Sequence, residues 1–206
     1  MNFVIDDYHG QLGVGFDKTA HPIPKVCSFN IVIRQVSCGE DHTAFVVEPS
    51  GQVYSMGSNQ DGKLGVGQAA MRSSNVPCLV ENLQGIVKVA CGSSHTLAIS
   101  ESGQAYSWGL GFSGALGTGE SSIQDKPRMI TAIHSQRIID IDAGSKHSLF
   151  LTESLRVYGC GEAKMGQLGV GSVVQDRLMV PTNIKALNEF QIQKVNCGKF
   201  HSLFLT

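Results

Sequence analysis

Residues Cys38–Val47 read CGEDHTAFVV, a cysteine and a histidine four apart with two acids between them and an apolar run behind. Met in isolation, that composition suits a thiolate–imidazole dyad or a pair of metal ligands. The chain then repeats it: Cys91–Ser100 reads CGSSHTLAIS, Ala143–Thr152 reads AGSKHSLFLT and Cys197–Thr206 reads CGKFHSLFLT. A reactive constellation is normally unique within a domain, so four copies mark architecture. Ala143 stands in the cysteine position beside His147 without breaking the pattern, which makes the thiol dispensable to the unit.

Two further markers run in the same phase. Leu-Gly-x-Gly occurs at Leu12, Leu64, Leu116 and Leu168, with intervals of 52 residues each time. The runs VYSMG from Val53, AYSWG from Ala105 and VYGCG from Val157 carry an aromatic strand into glycine. Internal periods of this length mark repeat architectures and have to be read before any single motif.

Each unit reads as strands. IVKVAC (Ile86–Cys91) and HTLAIS (His95–Ser100) are short, rich in apolar and β-branched residues, and bounded by Gly and Ser. PSGQ (Pro49–Gln52) and ESGQ (Glu101–Gln104) suit tight hairpins with a left-handed glycine. The third unit has ESLR (Glu153–Arg156), where Leu155 replaces that glycine and a looser turn is expected. Pro77, Pro127 and Pro181 fall where an outer, edge-type strand would begin. No unit carries a sustained helical period. About four strands per unit of about fifty residues, stacking face to face, predicts an all-β propeller-type fold with four-stranded antiparallel blades over a single domain, residues 1–206.

Composition narrows the function. Apolar residues make up 42% of the 206, enough for a core, and 16 basic residues against 17 acidic ones leave a net charge of −1. No Lys/Arg run marks a nucleic-acid tail or a polybasic membrane patch, so no nucleic-acid partner is expected. No apolar stretch approaches transmembrane length, and MNFVIDD has no basic n-region. Six cysteines without a CxxC pair read as thiols of a reducing compartment, and the chain is expected inside the cell, cytoplasmic, with nuclear or ciliary placement also compatible.

The residues shared between units read as structural: Gly39, Gly92, Gly144 and Gly198, with His42, His95, His147 and His201 bonding backbone in a turn. Trp108, the single tryptophan, and Tyr54, Tyr106 and Tyr158 read as core packing. GLGFSG (Gly109–Gly114) matches a dinucleotide fingerprint in form, but no helix follows to carry a pyrophosphate. No cofactor, metal site or catalytic residue is expected.

The G-x-x-H-[TS] run with its apolar strand, the S-G-x-[VA]-Y-S-[WM]-G run and G-x-L-G-x-G together resemble the regulator of chromosome condensation type of repeat, over the whole chain. The resemblance implies a β-propeller, commonly of seven blades. WD40 repeats are disfavoured because no Trp-Asp dipeptide closes a unit, and kelch repeats carry a different signature. Seven blades at this period need roughly 360 residues, against four units here. Met1 aligns with Val53 and Thr206 with Thr152, so the ends stand in phase but incomplete, and Ile5 stands where the other units have glycine. The expectation is an incomplete, open arc of a seven-blade-type propeller, either a fragment of a longer product or one completed by another chain.

Residues that differ between units mark the candidate interaction face: Glu40 and Asp41, Ser93 and Ser94, Ser145 and Lys146, Lys199 and Phe200. On a propeller such loops gather around the axis on one face. The resemblance implies a protein partner, with a small GTPase as one candidate, since the family's founding member is a guanine-nucleotide exchange factor that meets its GTPase on that face. Acids come from the first unit only, and the constant spacing leaves no room for the exchange factor's inserted wedge. A non-enzymatic interaction scaffold is therefore the leading expectation and nucleotide exchange the alternative.

Overall fold

The computed structural model describes residues 7–14, 31–67, 71–171 and 175–206. Among these described residues, fourteen strands form three four-stranded sheets and one two-stranded sheet. The first sheet holds β1 (Val32–Cys38), β2 (His42–Glu48), β3 (Val53–Ser58) and β4 (Ser73–Val80) in that order. The second holds β5 (Ile86–Cys91), β6 (His95–Ser100), β7 (Ala105–Leu110) and β8 (Ile123–Met129). The third holds β9 (Ile138–Ala143), β10 (His147–Thr152), β11 (Val157–Glu162) and β12 (Arg177–Asn183). β13 (Lys194–Cys197) and β14 (Ser202–Leu205) repeat the first two strands of a sheet. All neighbours are antiparallel, and the only helical segments among the described residues are three single 3-10 turns.

The sheets stack as blades. Each first strand packs on the next, β1 on β5, β5 on β9 and β9 on β13, and each second strand packs on the first strand of the following sheet. The core therefore lies between sheets. Ala44, Val46 and Val53 of the first sheet close on Ile86, Val89 and Trp108 of the second. Leu97 and Ile99 close on Ile138, Ile141 and Phe150, and Leu149 and Leu151 on Ile192 and Val195. A single four-stranded sheet could not bury both faces of these alternating strands, so stability comes from the stacking.

Two local expectations are corrected. The prolines do not open the outer strands. Pro77, Pro127 and Pro181 sit inside β4, β8 and β12, within the register shifts that separate Ser55 from Gly57, Ser107 from Gly109 and Gly159 from Gly161 on the neighbouring strand. A bulge on an edge strand needs no ladder donor at that point, so the missing N–H costs little. The ESLR turn is not looser. Leu155 takes φ 60°, as Gly103 takes φ 84°. Its hydrogen bonds, Leu155 N to Thr152 O and Thr152 N to Arg156 O, both 2.9 Å, reproduce Gly103 N to Ser100 O and Ser100 N to Gln104 O. The strands on either side hold a leucine in a conformation that suits glycine.

The Ile5 departure and the Met1 alignment lie outside the described residues. Residues 7–14 sit on the first sheet, with the Thr43 hydroxyl donating to the Gln11 carbonyl at 2.8 Å.

Candidate functional site

The repeated histidines occupy matching surroundings at three of their four positions. His42 Nε2 lies 2.8 Å from Thr96 Oγ1, His95 Nε2 2.9 Å from Ser148 Oγ, and His147 Nε2 3.1 Å from Ser202 Oγ. In each pair the hydroxyl belongs to the following sheet. That hydroxyl in turn donates to the carbonyl just before a Leu-Gly-x-Gly run of the preceding sheet: Thr96 to Lys63 O at 2.9 Å, Ser148 to Ala115 O at 2.7 Å and Ser202 to Gln167 O at 2.6 Å. A hydroxyl has one proton, and the carbonyl takes it, so the imidazole must be the donor at Nε2. Each histidine is thus a neutral Nε2–H tautomer latching one blade to the next. The expectation that these side chains bond turn backbone is corrected. What the turn backbone does is pair Gly39, Gly92, Gly144 and Gly198 N–H with the histidine carbonyls at 2.8 to 2.9 Å.

Burial fits the neutral form. It pushes His42 and His95 from 6.5 down to about 3, helped at His42 by the Lys63 ammonium and then His95, and at His95 by His147. His147 is lowered to about 4, again chiefly by burial. The thiols beside them go the other way: burial pushes Cys91 up to about 12 and raises Cys197 further. A protonated, buried thiol is a poor nucleophile and a poor ligand. Five described cysteines are free, and no described group of three or more His, Cys, Asp or Glu side chains is disposed to hold a metal.

Trp108 joins the same device. Fully buried, it donates Nε1–H to Lys63 O at 2.9 Å, the carbonyl that Thr96 also uses. Core packing describes its bulk, but its N–H ties the second sheet to the first. Tyr54, Tyr106 and Tyr158 are half-buried, and Tyr54 stacks on Phe45 at 5.7 Å between centroids. The glycines of the VYSMG-type runs are fixed by close approach. Gly57, Gly109 and Gly161 take φ 104° to 108° opposite the histidines, and a Cβ on any of them would strike the carbonyl of Asp41, Ser94 or Lys146. Gly109 of the GLGFSG run thus belongs to β7 and Gly114 to the turns that follow it, and the residues after them are not helical.

The loops between first and second strands do converge. Glu40, Ser93, Ser145 and Lys199, one from each unit, line a common hollow of about 280 Å³ with Gly39, Gly92, Gly144 and Gly198. Ser93 Oγ donates to Ser145 Oγ at 2.9 Å across two sheets. Ser94 and Lys146 open onto a larger adjoining hollow of about 610 Å³. Asp41 departs from the group: its carboxylate is drawn to the buried Lys63 ammonium, which also donates to Ser93 O at 3.3 Å. Phe200 is exposed with the Lys199 ammonium 5.5 Å from its ring centroid, and it lines neither hollow.

The larger hollow contains residues that the reading by units passed over. Phe112 is 65% exposed at its rim, with the Arg177 guanidinium 5.9 Å from the ring, and Glu162 and Asp176 stand nearby. Asp176 pairs with Lys164 at 3.0 Å. The signal was present in the sequence, since Phe112 stands where the other units have Gln60 and Lys164.

The family model for the RCC1-like domain matches residues 6–206. The chain is 36% identical over 207 residues to the human E3 ubiquitin-protein ligase HERC2, covering 96% of this chain and 4% of that protein. It is 34% identical over 200 residues to the ultraviolet-B receptor UVR8 of Arabidopsis thaliana, covering 96% of this chain and 44% of the receptor. It therefore spans less than half the length of either relative. Among solved structures, human WBSCR16 superposes with a TM-score of 0.80 at 23% identity, over 97% of this chain and 52% of that one. Prp20p of Saccharomyces cerevisiae superposes with a TM-score of 0.79 at 22% identity, over 96% and 49%. Latched four-stranded blades, the shared signature and the matched span agree: the chain belongs to the RCC1-like domain family of β-propellers.

Proposed function

We propose that the chain is a non-enzymatic protein-interaction scaffold that meets a protein partner on its loop face. The observation that carries this reading is the convergence of Glu40, Ser93, Ser145 and Lys199 from four successive units around one hollow. The shared residues are consumed in building shape, whereas these four differ from unit to unit and present an acid, two hydroxyls and a cation. The adjoining hollow adds an exposed aromatic, Phe112, beside Arg177. Exposed aromatic and arginine side chains at a concave rim are the residue types that anchor protein interfaces.

Guanine-nucleotide exchange on a small GTPase is the second reading. Prp20p has binding properties toward Gsp1p and histones, and Glu162 and Asp176 enlarge the acidic share of the face beyond Glu40. Against it, Asp41 is engaged by Lys63. HERC2 is a ubiquitin ligase, but the match takes up 4% of it, and ligase chemistry is not part of this proposal. Free thiols support an intracellular setting, and no described helix is long and apolar enough to cross a membrane. With a net charge of −1, nucleic acid is not a proposed partner.

Affinity capture from cell extract, comparing the wild type with a Glu40→Lys, Lys199→Glu, Phe112→Ala variant, tests the scaffold reading. Partners lost with the variant support the loop face, and an unchanged set of partners contradicts it. Stopped-flow nucleotide release from a panel of small GTPases separates the two readings: the scaffold reading predicts no acceleration, and a large acceleration overturns it.

A further inference from the structure

The hollow of about 610 Å³ runs between the second and third sheets, each of which has a neighbouring sheet on either side. Its two walls differ in character. Leu110 and Phe112 make the second-sheet wall apolar. Along the third sheet, Lys146 before β10, Glu162 at the end of β11 and Arg177 at the start of β12 set a cation, an anion and a cation in a row. The backbone holds them side by side: Glu162 N donates to Lys146 O at 2.8 Å, and Glu162 stands opposite Arg177 in the β11–β12 register. The repeat does not require such a row. Residues in the same phase are Ser94, Leu110 and Ile123 in the second sheet, and Asp41, Ser58 and Ser73 in the first.

Opposite charges that face each other across two strands ordinarily pair. Here the Arg177 guanidinium crosses the hollow instead, donating from Nη1 to Phe112 O at 2.5 Å and lying 5.9 Å from the centre of the ring. That contact braces Phe112, which is 65% exposed. It also leaves the half-buried Glu162 carboxylate with no hydrogen bond or ion pair among the described residues. The exposed Lys146 ammonium is likewise unengaged among them, whereas Lys164 is held by Asp176 at 3.0 Å. A carboxylate that has given up part of its hydration without gaining a cation is stabilised by an occupant that supplies one.

We infer that this hollow takes an extended segment of a protein partner that presents a basic side chain to Glu162, an apolar one to Leu110 and Phe112, and an acidic one to Lys146. In an extended chain alternate residues face one wall and the residue between them faces the other. The segment therefore reads basic, apolar, acidic over three consecutive residues. Arg177 acts through Phe112, holding the aromatic wall in place. A braced aromatic beside a charge that binding desolvates is the kind of anchor on which interfaces concentrate their energy. A polyanion such as a nucleotide fits the row poorly, because Glu162 stands between the two cations and would face its phosphates.

The inference rests on the loop-face reading and names the chemistry of what that face holds. A phage-displayed random-peptide library selected on the full chain is the probe. The wild type is expected to enrich peptides carrying the basic–apolar–acidic triad. A synthetic peptide from that set, followed by fluorescence anisotropy, should bind about tenfold or more weakly to Glu162→Gln and to Phe112→Ala. Glu162→Lys should lose the same peptide and bind its counterpart in which the basic residue is replaced by an acidic one, a recovery that a misfolded variant could not show. The inference is overturned if no peptide is enriched, if the enriched peptides lack the triad, or if the wild type and Glu162→Lys enrich the same set. An absence of enrichment alongside partner capture that depends on Glu40, Lys199 and Phe112 would assign the face to a folded domain. That outcome overturns the inference and leaves the scaffold reading standing.

Discussion

Acid should dismantle the stack of blades through its buried imidazoles. In the folded chain His42 and His95 are lowered to about 3 and His147 to about 4, from 6.5, because each is buried and already donating Nε2–H to a hydroxyl. The unfolded chain binds these protons near the ordinary value, so it holds more of them than the native state as the pH drops. Stability contributed by the neutral histidines is therefore full above about pH 6.5 and lost progressively as pH falls toward the folded values. The slope is about 1.4 kcal/mol per pH unit for each histidine and about 4 kcal/mol per unit for three. At about pH 5 the three together cost about 6 kcal/mol, comparable with the whole stability of an ordinary domain. Asp142 works in the opposite direction: burial raises its carboxyl, so protonation relieves it and softens the slope at the acid end. Urea unfolding followed by circular dichroism over this range measures the effect. His95→Gln keeps a donor for Ser148 and removes one titration, so its slope should fall by about a third. A stability that is flat from about pH 7.5 to about pH 5, or a His95→Gln slope equal to the wild type's, would refute the latch reasoning.

Other perturbations isolate single elements. Leu155→Gly should stabilise the chain by up to about 1 kcal/mol by relieving the left-handed leucine at φ 60°, measured by urea midpoint, and a loss of stability would count against strain there. Trp108→Phe should cost about 2 kcal/mol, from the lost ring volume and the lost N–H to Lys63 O, and a neutral result would show that the indole is not part of the inter-blade bonding. Gly109→Ala should cost more than about 3 kcal/mol, because the residue sits at φ 108° and its Cβ would strike Ser94 O; near-native stability would contradict the observed register of β6 and β7.

The blade architecture was legible in the sequence because identical junctions demand identical residues: a buried leucine before each tight turn, an imidazole at each second strand, a glycine opposite it. What the repeat concealed was pairing between units. A hydroxyl residue follows every motif histidine, at Thr43, Thr96, Ser148 and Ser202, so both halves of the latch were visible. Read one unit at a time, the histidine and the hydroxyl are neighbours in the chain, whereas in the fold each binds the other's counterpart in the adjacent sheet. Leu155 misled for a different reason. Flanking strands impose turn geometry more strongly than one side chain resists it, so the substitution changed the strain and left the shape. At the loop face Glu40, Ser93, Ser145 and Lys199 follow from the repeat phase alone. Asp41 does not, because its partner Lys63 lies 22 residues away, in the buried loop before Leu64. Phe112 was obscured because it lies in a loop whose other residues serve geometry.

The most direct test of the claim that the repeated histidines build the stack is nitrogen-detected NMR of the imidazole rings at about pH 6, close to their ordinary titration range. Neutral Nε2–H tautomers at His42, His95 and His147, with the protons directed at Thr96, Ser148 and Ser202, are the predicted result. An Nδ1–H tautomer, or an imidazolium at any of the three, would contradict it.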